Sequence, residues 1–128
     1  MQRFTELAVW QRSHSLVLDV YRLTLTFPPE EKFTLVSQLL RAALSVPTNI
    51  AEGSKRVGRL EYARFLNIAE GSVAETQYLL MVGRDLGYLS YQAHDTTQKQ
   101  LSGFSLTCNF ELSTLSSVQS CRGKERGD

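Results

Sequence analysis

The sequence predicts an all-α protein, a four-helix bundle, and three observations carry that prediction. Apolar residues recur every three to four positions over most of the 128 residues. Proline and glycine punctuate the chain where one stripe gives way to the next. The segment Ser45 to Gly53, S-V-P-T-N-I-A-E-G, keeps an apolar line running past a proline, with Val46 and Ile50 on one side and Ser45, Asn49 and Glu52 on the other.

The first helix is expected from Leu7 to Phe27, with Trp10, Val17 and Tyr21 on one line and Leu16, Val20, Leu23 and Phe27 on the next. Pro28 and Pro29 end it, and Glu30 and Glu31 suit the positive first turn of a helix starting near Pro29. That second helix carries Val36, Leu39, Leu40, Ala43, Val46 and Ile50 and is expected to close at Gly53 in the left-handed conformation. Pro47 removes an amide donor and crowds the carbonyl of Ala43, which predicts a kink or short break over Ser45 to Thr48. After a basic loop, Leu60, Tyr62, Phe65, Leu66, Ala69, Val73, Leu79, Leu80 and Leu86 mark a third helix that Gly87 ends. Ala69, Gly71 and Ser72 place small residues at its middle. Gly71 costs about 1 kcal/mol of helix propensity relative to alanine, which predicts a packing reason for it. The last third reads two ways: Leu101, Phe104, Cys108, Leu112, Leu115 and Val118 fit a helix, whereas Phe104 to Leu112 alternates like a strand. Helix is favoured, because a lone strand has no sheet to join. One domain over residues 1–118 with a polar tail over 119–128 follows, and no internal repeat is read.

Composition excludes several function classes. A formal net charge of +1 provides no global field for a polyanion, so a nucleic-acid surface must be a local patch. No apolar run approaches the length that spans a bilayer, and the N-terminus has no secretory pattern, so a soluble cytoplasmic protein is expected. Cys108 and Cys121 read as free thiols. His14 lies on the Trp10 to Tyr21 line and His94 in a loop, neither with a metal-ligand partner at helical spacing. No metal, cofactor or catalytic residue is predicted, since nucleophile, base and orienting group cannot be assembled.

Two constellations stand out. Gln38, Arg41, Ser45, Asn49 and Glu52 recur at three- and four-residue spacing, which puts a polar, hydrogen-bonding seam along one helix face. A solvated face, a polar interface and a ligand surface all fit such a seam. The second constellation is Arg41, Lys55, Arg56, Arg59 and Arg64, a local basic excess that could meet phosphates or simply be a solvated loop. Gly53 to Arg59 is not a phosphate loop, because arginine and leucine occupy the lysine and hydroxyl positions and a helix precedes it.

Phe4 with L-A-V-W at Leu7 to Trp10, F-P-P-E-E at Phe27 to Glu31, Gln38, Arg41, S-V-P-T-N-I-A-E-G at Ser45 to Gly53, R-F-L-N-I-A-E-G-S at Arg64 to Ser72, and Glu75 appear in one order. In these motifs the chain resembles the 23S ribosomal RNA intervening-sequence proteins, the four helix bundle proteins. The resemblance implies a small bacterial cytoplasmic protein with an antiparallel, up-and-down bundle that assembles as a homopentamer. It also implies kinship with the accessory protein of diversity-generating retroelements, a basic pentameric barrel that binds nucleic acid and reverse transcriptase. The chain departs from the family after about Leu89, where Gln92 to Ser117 is rich in serine, threonine and glutamine, so the C-terminal helix is divergent. The expected function is a non-enzymatic homo-oligomeric adaptor, with Gln38, Arg41, Ser45, Asn49, Glu52 and Glu75 at the polar seam and Arg41 paired to Glu52 or Glu75. The alternative is an accessory protein that binds RNA or a retroelement transcript and works with a reverse transcriptase.

Overall fold

The computed structural model describes the backbone of residues 3–125 and the side chains of residues 3–113. Four helices, α1 (Ala8–Thr24), α2 (Leu35–Ser54), α3 (Arg59–Asp85) and α4 (Tyr91–Glu125), pack with no strand among the described residues. Short 3-10 turns at Phe4–Glu6 and Pro29–Glu31 precede α1 and α2. Residues 126–128 of the expected polar tail, and the side chains of 114–125 with Leu115, Val118 and Cys121, lie outside the described residues.

Element boundaries differ from expectation where backbone chemistry is local. Helix α1 stops at Thr24 rather than Phe27, because Phe27 precedes a proline and is pushed out of the helical region. The hydroxyls of Thr24 and Thr26 donate to the carbonyls of Tyr21 and Leu23 at 2.7 and 2.8 Å and absorb two of its end acceptors. At α2 the prolines support only a 3-10 turn, and the helix proper begins at Leu35. The Glu31 carboxylate reaches forward there, accepting from the Thr34 hydroxyl at 2.6 Å and the Leu35 amide at 3.4 Å. Helix α2 then runs unbroken from Leu35 to Ser54 with a buried Pro47 inside it, so the expected break is absent.

Gly53 does not close α2 in a left-handed conformation; it lies within the helix, which ends one residue later with Lys55 in the right-handed region. Packing explains the glycine. A β-carbon there would sit 2.6 Å from Phe65 Cβ, so α2 and α3 approach too closely for any side chain. The turn conformations fall to Gly58, at φ +93° before α3, and Gly87, at φ +81° after it.

The core is continuous, drawn from Val9, Leu16 and Val20 of α1, Leu39, Val46 and Ile50 of α2, Leu66, Ala69 and Leu80 of α3, and Leu101, Phe104 and Cys108 of α4. Burial in α4 at three- and four-residue steps, with Leu106 and Phe110 exposed, resolves the C-terminal ambiguity as helix. Several expected core residues face solvent instead: Leu60, Leu86, Tyr21 and His14. His94 is buried on α4 rather than held in a loop. Long-range ties fix the helix ends. The Thr26 hydroxyl shares its one proton between the Leu23 carbonyl and the Tyr88 carbonyl, the latter at 2.7 Å, Tyr88 Oη donates to Glu31 Oε1 at 3.0 Å, and Arg12 Nη1 donates to the Gly103 carbonyl at 3.2 Å. No helix among the described residues is long and apolar enough to cross a membrane.

Candidate assembly surface and basic end

The polar seam of α2 divides into a half-buried centre and exposed ends. At the centre Asn49 Nδ2 donates to the carbonyl and hydroxyl of Ser45, at 2.7 and 2.9 Å. The Ser45 hydroxyl, satisfied as an acceptor, lies 2.8 Å from that of Ser72 on α3. This chain of short polar groups ties α2 to α3 at one register, because a shift of either helix would strand half-buried donors. The ends behave differently. Gln38, Arg41 and Glu52 of α2 and Glu75 of α3 are all exposed. Ion pairs among the described residues join Arg22 to Asp19, Arg64 to Glu61, Arg84 to Asp85 and Lys99 to Asp95, and Arg41 takes part in none of them. Within one chain, then, the expected pairing of Arg41 with Glu52 or Glu75 does not form.

Arg41 and Gln38 border a cleft of about 670 Å³ whose apolar wall is Phe33, Leu35, Leu79, Val82 and Leu86. Phe33 is 84% exposed, an unusual state for a ring of that size. The other charge at the cleft, Glu31, is already satisfied: hydrogen bonds from Thr34 and Tyr88 hold its carboxyl below the usual carboxylate range. Arg41 is therefore the charge left available on this wall.

Lys55, Arg56, Arg59 and Arg64 gather at the α2–α3 turn, the opposite end of α2 from the cleft. Arg64 is 3.5 Å from Glu61, whereas Lys55, Arg56 and Arg59 enter no ion pair among the described residues. The guanidinium carbons of Arg56 and Arg64 lie 5.5 and 5.1 Å from the centre of the Phe65 ring, so both stems are held against an aromatic face. Arg41 is separated from this cluster by most of the length of α2, and the structure does not bring the five basic residues into one patch.

One polar group of residues was not anticipated. Tyr62 Oη donates to Glu111 Oε2 at 2.7 Å, and the Cys108 thiol points at the Leu66 carbonyl at 3.7 Å, joining α3 to α4. Burial, then the nearby Glu70 carboxylate, pushes the Cys108 thiol up to about 12. Such a thiol stays protonated and inert. Glu70 Oε1 is buried without a hydrogen-bond partner among the described residues. No group of three or more His, Cys, Asp or Glu side chains among the described residues is placed to hold a metal ion.

A family model described as 23S rRNA-intervening sequence protein matches residues 5–109, which spans α1, α2, α3 and more than half of α4. The chain belongs to the 23S rRNA-intervening sequence protein family. A crystal structure of a protein of unknown function from the S23 ribosomal protein family of Bacteroides thetaiotaomicron superposes with a TM-score of 0.72 over 84% of this chain and 98% of that one. At 22% identity the likeness concerns the fold. No curated protein matches the chain significantly.

This family member contains an internal repeat that the reading of apolar stripes overlooked: N-I-A-E-G-S occurs at Asn49 to Ser54 and again at Asn67 to Ser72. The copies are offset by eighteen residues, the first at the end of α2 and the second within α3. Their environments differ. Ile50 is fully buried and Ile68 is 40% exposed, while Ala51 is half-buried and Ala69 fully buried. The second copy is thus rolled on its axis by about one residue, or roughly 100°. Gly53 meets Phe65, whereas a β-carbon on Gly71 would meet nothing within 4 Å, so the expected packing partner of Gly71 is absent among the described residues.

Proposed function

We propose that the chain is a non-enzymatic, homo-oligomeric helical bundle that serves as an assembly protein in the cytoplasm. The observation that carries this reading is the cleft between the start of α2 and the end of α3. It joins an apolar wall, with Phe33 and Leu86 exposed, Val82 half-buried and Leu79 buried, to an unpaired Arg41, with unpaired Gln38, Glu52 and Glu75 along the same two helices. Apolar surface rimmed by polar groups that lack intrachain partners is what a subunit interface leaves behind when one subunit is viewed alone. The Ser45, Asn49 and Ser72 chain registers α2 on α3, and Arg41 meets Glu52 or Glu75 of a neighbouring subunit. The bundle is read as antiparallel and up-and-down with a bend at Pro47. The pairing of Ser45 with Ser72 and of Gly53 with Phe65 supports opposed directions for α2 and α3. Family kinship favours a pentamer. Light scattering on a size-exclusion column tests the reading: several copies at micromolar concentration are expected, and a clean monomer overturns it. Arg41→Glu should lower the assembled fraction while leaving the helical signal unchanged.

A second reading is favoured by the unpaired Lys55, Arg56 and Arg59 on one turn. They would contact phosphates of an RNA, in keeping with a family named after 23S rRNA intervening sequences, or of a retroelement transcript beside a reverse transcriptase. Each lost phosphate contact lowers the slope of log affinity against log salt by about 0.7 to 0.9. Neutralising all three should therefore flatten it by about 2 to 3. Absence of retention of labelled RNA by the wild type at low salt removes this reading.

A further inference from the structure

Folding brings the start of the chain to the basic end of the bundle. Phe4, in the turn before α1, lies beside the last turn of α2, and with Ala51, Glu52, Lys55 and Arg56 it lines a cleft of about 370 Å³. Phe4 is remote from the other four in sequence, so residue spacing gives no sign of an aromatic group among these cations.

Glu52 is the anomaly in this cleft. A carboxylate in the last turn of a helix faces the negative end of the macrodipole, which disfavours it. Lys55, three residues on, stands at the spacing where helical ion pairs form, yet Glu52, Lys55 and Arg56 enter no ion pair among the described residues. Arg56 is held instead over the Phe65 ring, 5.5 Å from its centre. All three charged residues are exposed. The cleft thus presents two cations, one carboxylate that only accepts, the half-buried ring of Phe4 and the methyl group of Ala51.

Each part has a counterpart in one chemical class. A flat base stacks on Phe4 and packs on Ala51, a phosphate meets Lys55 and Arg56, and the base edge donates to Glu52. Charge separates this class from zwitterions. Two cations and one carboxylate leave the cleft with a net positive charge, which a phosphodiester bearing a neutral base balances and an amino acid, neutral overall, does not. The donor edge then selects among bases. Guanine alone offers a carboxylate two adjacent donors, N1–H and the N2 amino group. Adenine and cytosine set their amino group beside an acceptor nitrogen, and uracil flanks its N3–H with two carbonyls. Resting on the RNA reading above, we propose that this cleft is a subsite for an unpaired guanine nucleotide, with the base on Phe4, its Watson–Crick edge on Glu52 and its phosphate on Lys55 and Arg56. A duplex does not fit, because pairing consumes that edge. With Glu52 committed to the base, Glu75 is the carboxylate left to Arg41 between subunits.

The test is fluorescence anisotropy of short labelled oligouridine, with and without a central guanosine, titrated at low salt with the full chain. The guanosine strand should bind at least about fivefold more tightly. Glu52→Gln should abolish that preference without weakening oligouridine binding or lowering thermal stability. Phe4→Leu keeps the apolar fill and removes the ring, so it should weaken binding of the guanosine strand at least about fivefold. The Phe4 ring lies 5.2 Å from that of Trp10, the sole tryptophan, so the guanosine strand should also change Trp10 emission where oligouridine does not. Competition identifies the source of the base. Displacement by guanosine monophosphate and not by adenosine monophosphate supports the subsite with a free nucleotide sufficient, and a guanosine preference that neither mononucleotide relieves supports it with the strand required. Equal affinity for the two strands, a preference that Glu52→Gln leaves intact, or binding that Phe4→Leu leaves unchanged overturns the subsite and leaves the RNA reading standing. Retention of neither strand removes both.

Discussion

At the scale of single residues, one carboxylate and two glycines hold together regions that the sequence separates. Glu31 accepts from Thr34, Leu35 and Tyr88, so it caps α2 and ties the α3–α4 turn to the α1–α2 connection. Its carboxyl is lowered in the folded state by the Thr34 bond first and the Tyr88 bond second. The unfolded chain then binds the proton more tightly, so the stabilisation is complete above the unfolded value near 4.5 and is lost as pH falls through the folded value. Denaturant titrations from pH 7 to pH 3 should show this loss in wild type and a smaller one in Glu31→Gln. At Gly53 and Gly83 the constraint is steric. Added β-carbons would lie 2.6 Å from Phe65 Cβ and 2.7 Å from Phe27 Cζ. Gly53→Ala meets a backbone-anchored carbon and should cost about 1 to 3 kcal/mol by urea unfolding. Gly83→Ala meets the tip of a ring that can swing, and should cost less.

At the scale of the elements, α2 and α3 form the well-packed pair and α4 closes the bundle with more polar material. Among its first buried residues are His94 and Thr97, ahead of Leu101, Phe104 and Cys108. His94 Nε2 sits 3.1 Å from Gln98 Nε2, which has only protons to offer, so the ring nitrogen accepts and the imidazole is neutral. Gln98 also donates to the Gln77 carbonyl of α3 at 3.5 Å. Burial, and then the charge of Arg84, lower the His94 value below the usual 6.5, against smaller opposing effects of Asp85 and Asp95. For a base depressed in the folded state, the contribution is present above pH 6.5 and is lost as pH falls below it. Amide protection factors in the first turns of α4, taken relative to the intrinsic exchange rate at each pH, should therefore fall from pH 7 to pH 5 in wild type, and His94→Gln should remove that dependence. Cys108 supplies a second reading of α4 docking. In a Cys121→Ser background its thiol, raised to about 12 by burial, should resist a disulfide reagent at pH 8 until the helix is released by denaturant.

At the scale of the whole molecule, a single core is shared by all four helices, so local damage should be felt everywhere. Leu39 is fully buried within that core. Leu39→Ala should cost about 2 to 5 kcal/mol, with fluorescence of the sole tryptophan, Trp10, and far-ultraviolet dichroism moving together through one transition. Separate transitions would mean that α4 melts on its own. The surface is less economical than the core. Phe33, Val57, Leu60 and Tyr91 are each more than 70% exposed, and Tyr78 and Leu86 more than half, an apolar load better suited to a subunit than to an isolated monomer.

The first three helices, the closing glycine at Gly87, and the basic turn were determined by the sequence alone, since apolar spacing and proline chemistry act over a few residues, whereas the burial pattern decided the fourth helix against a strand. The polar seam was legible as a line of residues but not as two kinds of surface. Which members are satisfied depends on Ser72, remote in the chain and brought to Ser45 by the packing of α3. The repeated hexapeptide marks the limit most clearly. N-I-A-E-G-S is helical in both places, yet α2 buries its isoleucine and fills its glycine, while α3 buries its alanine and leaves the glycine open. Identical residues have identical local preferences. Only the neighbouring helices decide which side of the cylinder meets the core, because burial is a property of what packs against a face and not of the residues that make it.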